Sequence, residues 1–483
     1  MEQKAGAQIS RKAFTQSVII LFVLMMITGV LTLVIPAGEY VRTEQAGREV
    51  IDPQSFQFIE RPDYPFWRWF TAPLEVLATP DGVLVMVIIG FILMVGGAFA
   101  ILDHCGIMQE GVGRIVRTYG PRKYQLLLVV SFFFMALGAF FGIFEEIVPL
   151  VPIMLALSYY LGWDSLVGLG MSVLATNMGF SAAISNPFTI GVAQKIAGLP
   201  LFSGALFRVC IFMVVYGVFA LFLVRYAKKV ERNPEASPVY VEDRTGRLKY
   251  KALEISTLGK PHPGLRRAVV WFLVTIVLML GVLVSGPFVP GLSDLALPLV
   301  GILFLAGGLG AGRLSGASWK QVLSALKDGA AGIAPGILLI LMAVSVKHIV
   351  LMGGVLDTIL HASANAFSKT PPIFAAVIIY FLALLIEFFI GSGSAKAFLM
   401  MPILLPLADL VGVTRQVAVT AYCFGDGFSN MIYPTNPVLL IVLGLTVVSY
   451  SKWLKWTARL WFWIVLITVA FLSLGVLINY GPF

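Results

Sequence analysis

Charge is scarce in this chain. Only 12% of its 483 residues are Asp, Glu, Lys or Arg, against 59% hydrophobic, and mean hydropathy is +0.92. No soluble domain of that length buries so much apolar surface, whereas a bilayer accepts it. Cysteine and histidine are also few, with Cys105, Cys210 and Cys423 scattered and the four histidines equally dispersed. That excludes a disulfide framework or a metal-binding spacing and leaves packing residues. There is no H-E-x-x-H and no G-x-x-x-x-G-K-[ST], so neither a zinc hydrolase nor a built-in ATPase is encoded, and no ATPase subunit or cofactor is expected. "GSGSA" (391–395) does not match the G-x-S-x-G of a serine hydrolase. An approach of His348 to Ser392 would reopen that reading.

What is present is apolar runs. Stretches 15–36, 82–103, 204–226, 268–288, 293–312, 331–352 and 456–480 are long enough to cross a bilayer. The first is too long for a signal peptide, and no small-residue cleavage site follows Pro36. The net charge of +9 would suit nucleic acid, but its placement is topological. With Met1 cytoplasmic, alternating spans put 24 of the 34 Lys and Arg inside, which orients the chain by the positive-inside rule. The acid-bearing loop 37–80 falls outside and ends in the interfacial cluster "PFWRWF". Lipid bilayer, not nucleic acid, is the expected partner, in a bacterial inner membrane, and Phe483 falls on the outer side.

Residues 227–267 are polar, basic and without apolar periodicity, a cytoplasmic linker between halves 1–226 and 268–483. Across it the sequence repeats. "VPIMLALSYYLG" (151–162) lies over "MPILLPLADLVG" (401–412), and Asn186-Pro187 over Asn436-Pro437, at one offset of 250. Each half carries an apolar segment with one polar tip: "GIFEEI" within 123–160 and "IGSGSAK" within 372–409. The returning arms, 147–160 and 397–409, have 14 and 13 residues, too short to cross comfortably, and read as re-entrant hairpins or as two short spans with a turn. The following segments, 164–198 and 414–449, are broken at their Asn-Pro steps, because proline removes a donor and clashes one turn back. Counting crossings makes the two halves inverted. The expected fold is an all-α polytopic membrane protein with about nine transmembrane helices plus two re-entrant hairpins.

Broken helices in inverted repeats are a transporter signature, with substrate and ions held at the breaks. Ser185, Asn186 and Pro187, with Thr435, Asn436 and Pro437, therefore become candidates, as do Glu145, Glu146, Ser392, Gly393 and Ser394 at the tips. Sodium near Asn186 and Asn436, or a proton, is the expected coupling ion. A simple kink is the plain alternative for either Asn-Pro step.

The motifs "FGIFEEIVPLVPI", "SNPFTIGVAQKIAGLP", "GSGSAKAFLMMPILLPLADLVGVTRQV" and "FGDGFSNMIYPTNP" resemble those of the YfcC-type basic amino acid antiporter group. That group is similar to the anaerobic C4-dicarboxylate carriers of the ion transporter superfamily. The resemblance covers nearly the whole chain, "IPAGEY" (35–40) included. Aminobenzoyl-glutamate transporters have a similar serine-rich second tip. The resemblance implies a dimerising scaffold and a mobile transport domain working as an elevator. By position, it implies a site of Glu145, Glu146, Asn186, Ser392, Ser394, Asp426, Asn430, Thr435 and Asn436.

Acids within a membrane are expensive and usually functional. Glu145, Glu146 and Asp426 face one cation, Lys396, which either pairs with them structurally or meets a substrate carboxylate. Glu387 falls at either end of a hairpin arm. Lys195 and Lys347 read as snorkelling residues without a role. That balance favours a cationic amino acid over a dicarboxylate. A channel is the competing class, disfavoured by the paired tips and breaks.

Overall fold

The computed structural model describes residues 11–45, 48–52, 54–80, 82–244, 263–289, 291–367 and 370–481. The expectations resting on Met1, on the basic stretch 245–262 and on Phe483 lie outside those residues.

In hydrocarbon, backbone groups must pair within their own segment, so the apolar runs form helices. The long ones are α1 (Arg11–Val34), α3 (Gly82–His104), α10 (Ala205–Arg232), α11 (Pro263–Ser285), α12 (Leu292–Leu314), α14 (Pro335–Met352) and α20 (Tyr450–Leu477). Among the described residues, ten helices are long and apolar enough to span a membrane. The expected nine differ from these by definition. The ten include Gly393–Leu410, a hairpin arm in the sequence reading, and join α4 (Ile107–Tyr119) to α5 (Lys123–Ala136). They omit the second broken segment, whose pieces α18 (Arg415–Ser429) and α19 (Pro437–Gly444) have 15 and 8 residues.

Three features depart from the sequence reading. The outer loop carries strands that the sequence reading did not place: β1 (Gly38–Glu39) pairs antiparallel with β4 (Gln57–Phe58), and β2 (Arg42–Gln45) with β3 (Arg48–Ile51). These pairs of short strands precede the aromatic helix α2 (Arg68–Glu75). The linker is narrower than 227–267, because α10 continues to Arg232 and α11 begins at Pro263. Residues 234–243 also fold back, with Asp243 fully buried and accepting from Tyr159 Oη (2.8 Å) and Ser165 N (2.8 Å). Finally, α13 (Trp319–Ile333) precedes α14, opened by a capping box of Ser318 and Gln321. Its Lys320, Lys327 and Asp328 hid it from a search for apolar runs.

Helices α3, α11, α12 and α13 pack together, with α14 beside them and α1 against α14. A second group holds α5, α8 (Ala175–Ala182), α16 (Pro372–Glu387), α17 (Gly393–Leu410) and α18, flanked by α10 and α20. Here backbones touch. A Cβ on Gly179 would lie 1.7 Å from Met135 O, so α8 meets α5 only through glycine.

At the offset of 250 the two halves make the same local bonds. Gly162 (φ 85°) and Gly412 (φ 76°) end α6 (Val151–Tyr160) and α17 in the left-handed region. The next residue returns to a carbonyl five back in each case: Trp163 N to Ser158 O and Val413 N to Ala408 O, both 2.9 Å. Asp164 and Thr414 then cap the following helices at Val167 N (2.9 Å) and Val417 N (3.3 Å).

Candidate functional site

Each Asn-Pro step starts a new helical segment. Asn186 Oδ1 accepts from Phe188 N and Asn436 Oδ1 from Val438 N, both at 2.9 Å, while Pro187 and Pro437 take the first turn, where no N–H is needed. Upstream, α8 stops at Ala183, which has φ 43°, and α18 stops at Ser429. Both helices are therefore interrupted.

Each tip meets its break by a different device. In the first half, Ser185 N donates to Ala139 O (3.1 Å) and Ser185 Oγ to Phe140 O (3.1 Å). Gly142 (φ 68°) then turns the chain against the Asn186 side chain, where a Cβ would lie 2.3 Å from Oδ1. In the second half, Ser392 caps α17, and Tyr422 Oη of α18 donates to Gly393 O at the tip. Inside the break, Asn436 Nδ2 donates to Asn430 Oδ1 (2.7 Å).

Between the tips lies a cavity of about 370 Å³. It is lined by Glu145, Glu146, Glu387, Ser392, Gly393, Ser394, Asp426, Asn430, Thr435, Asn436 and Pro437. The opposite wall is Leu84, Val85, Ile88 and Phe91 of α3, Leu297 of α12, and Ala343, Val344 and Lys347 of α14. Ser185, Asn186 and Pro187 do not line it. The first break holds its tip from behind, and Phe188 reaches the cavity in its place.

The charged residues sort differently from the sequence reading. Lys396 is wholly buried and ion-paired to Glu387 and to Asp426 Oδ1 (2.8 Å), so of the three acids weighed against it Asp426 is paired with it, and Glu387 takes the other place. Glu387 lies at the inner, tip end of α16. Lys347, read as a snorkelling residue without a role, instead lines the cavity, because α14 faces the tips at that turn. Lys195 is exposed, as a snorkelling residue would be. His348 does not serve Ser392; its Nε2 pairs with Glu75 Oε2 (3.2 Å) on the outer helix α2.

As for sodium, both Asn oxygens are already capping helices. Among the described residues, no group of three His, Cys, Asp or Glu could hold a metal. Among the buried side-chain oxygens without a hydrogen-bond partner, Thr189 Oγ1 and Asp426 Oδ2 belong to the residues that flank Gly393 at the second tip.

Sequence reasoning missed Arg208. Its guanidinium is 1% exposed and reaches Ala183 O (3.0 Å), Ile184 O (2.9 Å), Phe202 O (3.1 Å), Ser203 O (2.8 Å) and Tyr480 Oη (3.1 Å). A full positive charge thus sits on the C-terminal carbonyls of α8, where the helix dipole is negative. The second break is held by neutral donors instead, Trp453 Nε1 to Met431 O (2.8 Å) and Tyr450 Oη to Ile432 O (2.7 Å). The signal was available: an arginine standing inside the apolar run 204–226.

Comparison with known proteins places this chain in a family. Residues 14–477 match the DcuC model, described as C4-dicarboxylate anaerobic carrier. The chain is 32% identical over 492 residues to "Putative basic amino acid antiporter YfcC" of Escherichia coli K12, spanning 93% of this chain and 94% of that one. It is 29% identical to an uncharacterized protein of Haemophilus influenzae, over 79% of this chain and 73% of that one. Two solved structures align over most of the chain, each at 17% identity and TM-score 0.40. The YdaH transporter of Alcanivorax borkumensis covers 97% of this chain and 100% of its own. MtrF of Neisseria gonorrhoeae covers 96% and 95%. Those two likenesses are too distant to carry a statement about mechanism. The family match is not: the chain belongs to the C4-dicarboxylate anaerobic carrier family, and is an integral membrane transporter rather than an enzyme.

Proposed function

We propose that this transporter exchanges basic amino acids, arginine- or ornithine-like, at the cavity between the two tips. The observation that carries the reading is charge. Glu145, Glu146, Glu387 and Asp426 stand on the cavity wall against Lys347, with Lys396 buried behind them, four acids to two cations. A dianion entering such a site would be repelled unless protons or ions neutralised it first, whereas a cationic substrate is attracted. The substrate α-carboxylate then takes the N–H groups opening α17, and its cationic groups take the carboxylates. Lys396, committed to its own acids, is not available for that carboxylate. The name of the E. coli relative supports this reading; the family description favours the second one, a C4-dicarboxylate.

In the same reading, segments 123–160 and 372–409 are re-entrant hairpins of an inverted repeat, supported by the matched caps at the 250-residue offset. The hairpins and broken helices form a transport domain that moves as an elevator against α3 and α11–α14, in a homodimer. With Met1 inside, Leu84, Leu297 and Lys347 lie at outer helix ends, so the cavity opens outward in this conformation. The test is counterflow in proteoliposomes preloaded with ornithine. Labelled arginine accumulates, and Glu146→Gln or Asp426→Asn cuts the rate by at least about tenfold, the scale of one lost charge-assisted contact. Robust succinate exchange without any response to arginine would refute the substrate assignment.

A further inference from the structure

Lys396 is an unusual place for an ammonium group. It lies at the second tip with no exposure, held by Glu387 at the end of α16, Ile390 O of the tip backbone (3.3 Å) and Asp426 Oδ1 of α18 (2.8 Å). An ammonium has three donors, and the geometry supplies three oxygens from three separate elements. Two carboxylates and a carbonyl at a helix end are also the ligands that attract a hard monovalent or divalent cation. At the matching position of the first tip stands Glu146, so this cation has no counterpart in the other half.

We propose that the Lys396 ammonium is a tethered cation occupying the place of a soluble coupling ion at the second tip, so that exchange runs without sodium. Asp426 connects this cation to the cavity. Its Oδ1 is held by Lys396, while its Oδ2 has no protein partner and its side chain lines the cavity. A cationic group of the substrate completes that carboxylate from the other side. The tip is thus held in register whether or not substrate is present, without recruiting an ion at each turn of the cycle. The inference rests on the transporter reading of this cavity but not on which substrate fills it.

The test begins with the purified full-length protein and needs no substrate. Wild-type melting is the same in sodium, potassium and N-methylglucamine chloride. Lys396→Ser melts lower and is raised saturably by sodium or lithium, by roughly 1.5 °C at ten times the dissociation constant. In proteoliposomes, wild-type exchange of whichever substrate it carries differs less than twofold among the three salts, and the exchange lost in Lys396→Ser returns partly with sodium. Lys396→Arg, which keeps the charge, retains sodium independence and guards against a serine variant that does not fold. A wild-type protein that melts higher in sodium or needs it for exchange overturns the proposal. So does a folded Lys396→Ser that ignores every cation. Failure of arginine exchange alone leaves the melting result standing and counts only against the substrate assignment.

Discussion

Arg208→Met removes the charge behind the first break and keeps a side chain of similar reach. Five groups lose a donor, but not all are stranded. Ser203 O keeps Gln194 Nε2 (2.9 Å), and Tyr480 Oη keeps its own bond to Gly204 O (2.6 Å). The carbonyls of Ala183, Ile184 and Phe202 lose the guanidinium outright. At about 1–3 kcal/mol for each buried acceptor left without its donor, and with partial relaxation of the chain around 202, the loss is about 3–5 kcal/mol. That corresponds to a melting temperature lower by roughly 3–5 °C in detergent. The same carbonyls end α8 three residues before Asn186, the residue under tip Gly142, so the substrate KM rises as well. Arg208→Lys restores the charge without the planar fork and recovers part of the melting loss. Melting within about 1 °C of wild type together with unchanged exchange in Arg208→Met would refute the argument, since the figure far exceeds what an exposed arginine contributes.

Gly142→Ala pushes a methyl group into Asn186 and strains a left-handed turn, so exchange falls while insertion persists. Gly162→Ala, with φ 85° but open space around its Cβ, costs about 1 kcal/mol of stability and leaves kinetics alone; equal kinetics in the two variants would contradict the tip–break contact. Asp243 is pushed up to about 6 by its burial and then by the charge of Asp164. Its pKa is thus raised on folding from 3.8, so the docked segment 234–243 is firmest below about pH 4 and is weakened as pH rises from there through about 6, by roughly 3 kcal/mol in all. Melting curves between about pH 4 and 7 decline in wild type and flatten in Asp243→Asn. Burial would raise Glu75, but hydrogen bonds from Arg68, Thr71 and His348 outweigh it and hold the carboxyl at about 2. Its contribution is present above pH 4.5 and lost only as pH falls toward 2, so Glu75→Gln lowers melting at pH 7 by about 1 kcal/mol or more, read by calorimetry.

Local devices were legible and remote partners were not. Asn186, Asn436, Gly162 and Gly412 could be read because a cap or a left-handed turn is made by the residue and its immediate neighbours, and the 250-residue register repeats it. The cavity residues of the second break followed from the same register. The position of Ser185 and Asn186 behind the tip was hidden, since it depends on carbonyls at 139 and 140. That Lys347 lines the cavity was hidden, because its face of α14 is set by packing against other helices, which hydropathy does not encode. Arg208 carried a visible signal, a charge in an apolar run, but its partners lie in three separate stretches of chain. Short strands in the outer loop left no apolar alternation long enough to detect.

The most direct test of the account asks whether substrate sits between the tips. In a chain with Cys105, Cys210 and Cys423 replaced by serine, Ser394→Cys places one thiol on the cavity wall. Labelling by a membrane-impermeant thiol reagent, followed by mass spectrometry, is predicted to be slowed by arginine in proportion to its occupancy of the exchange site. Labelling that proceeds at the same rate with and without a saturating transported substrate would contradict the placement of the site.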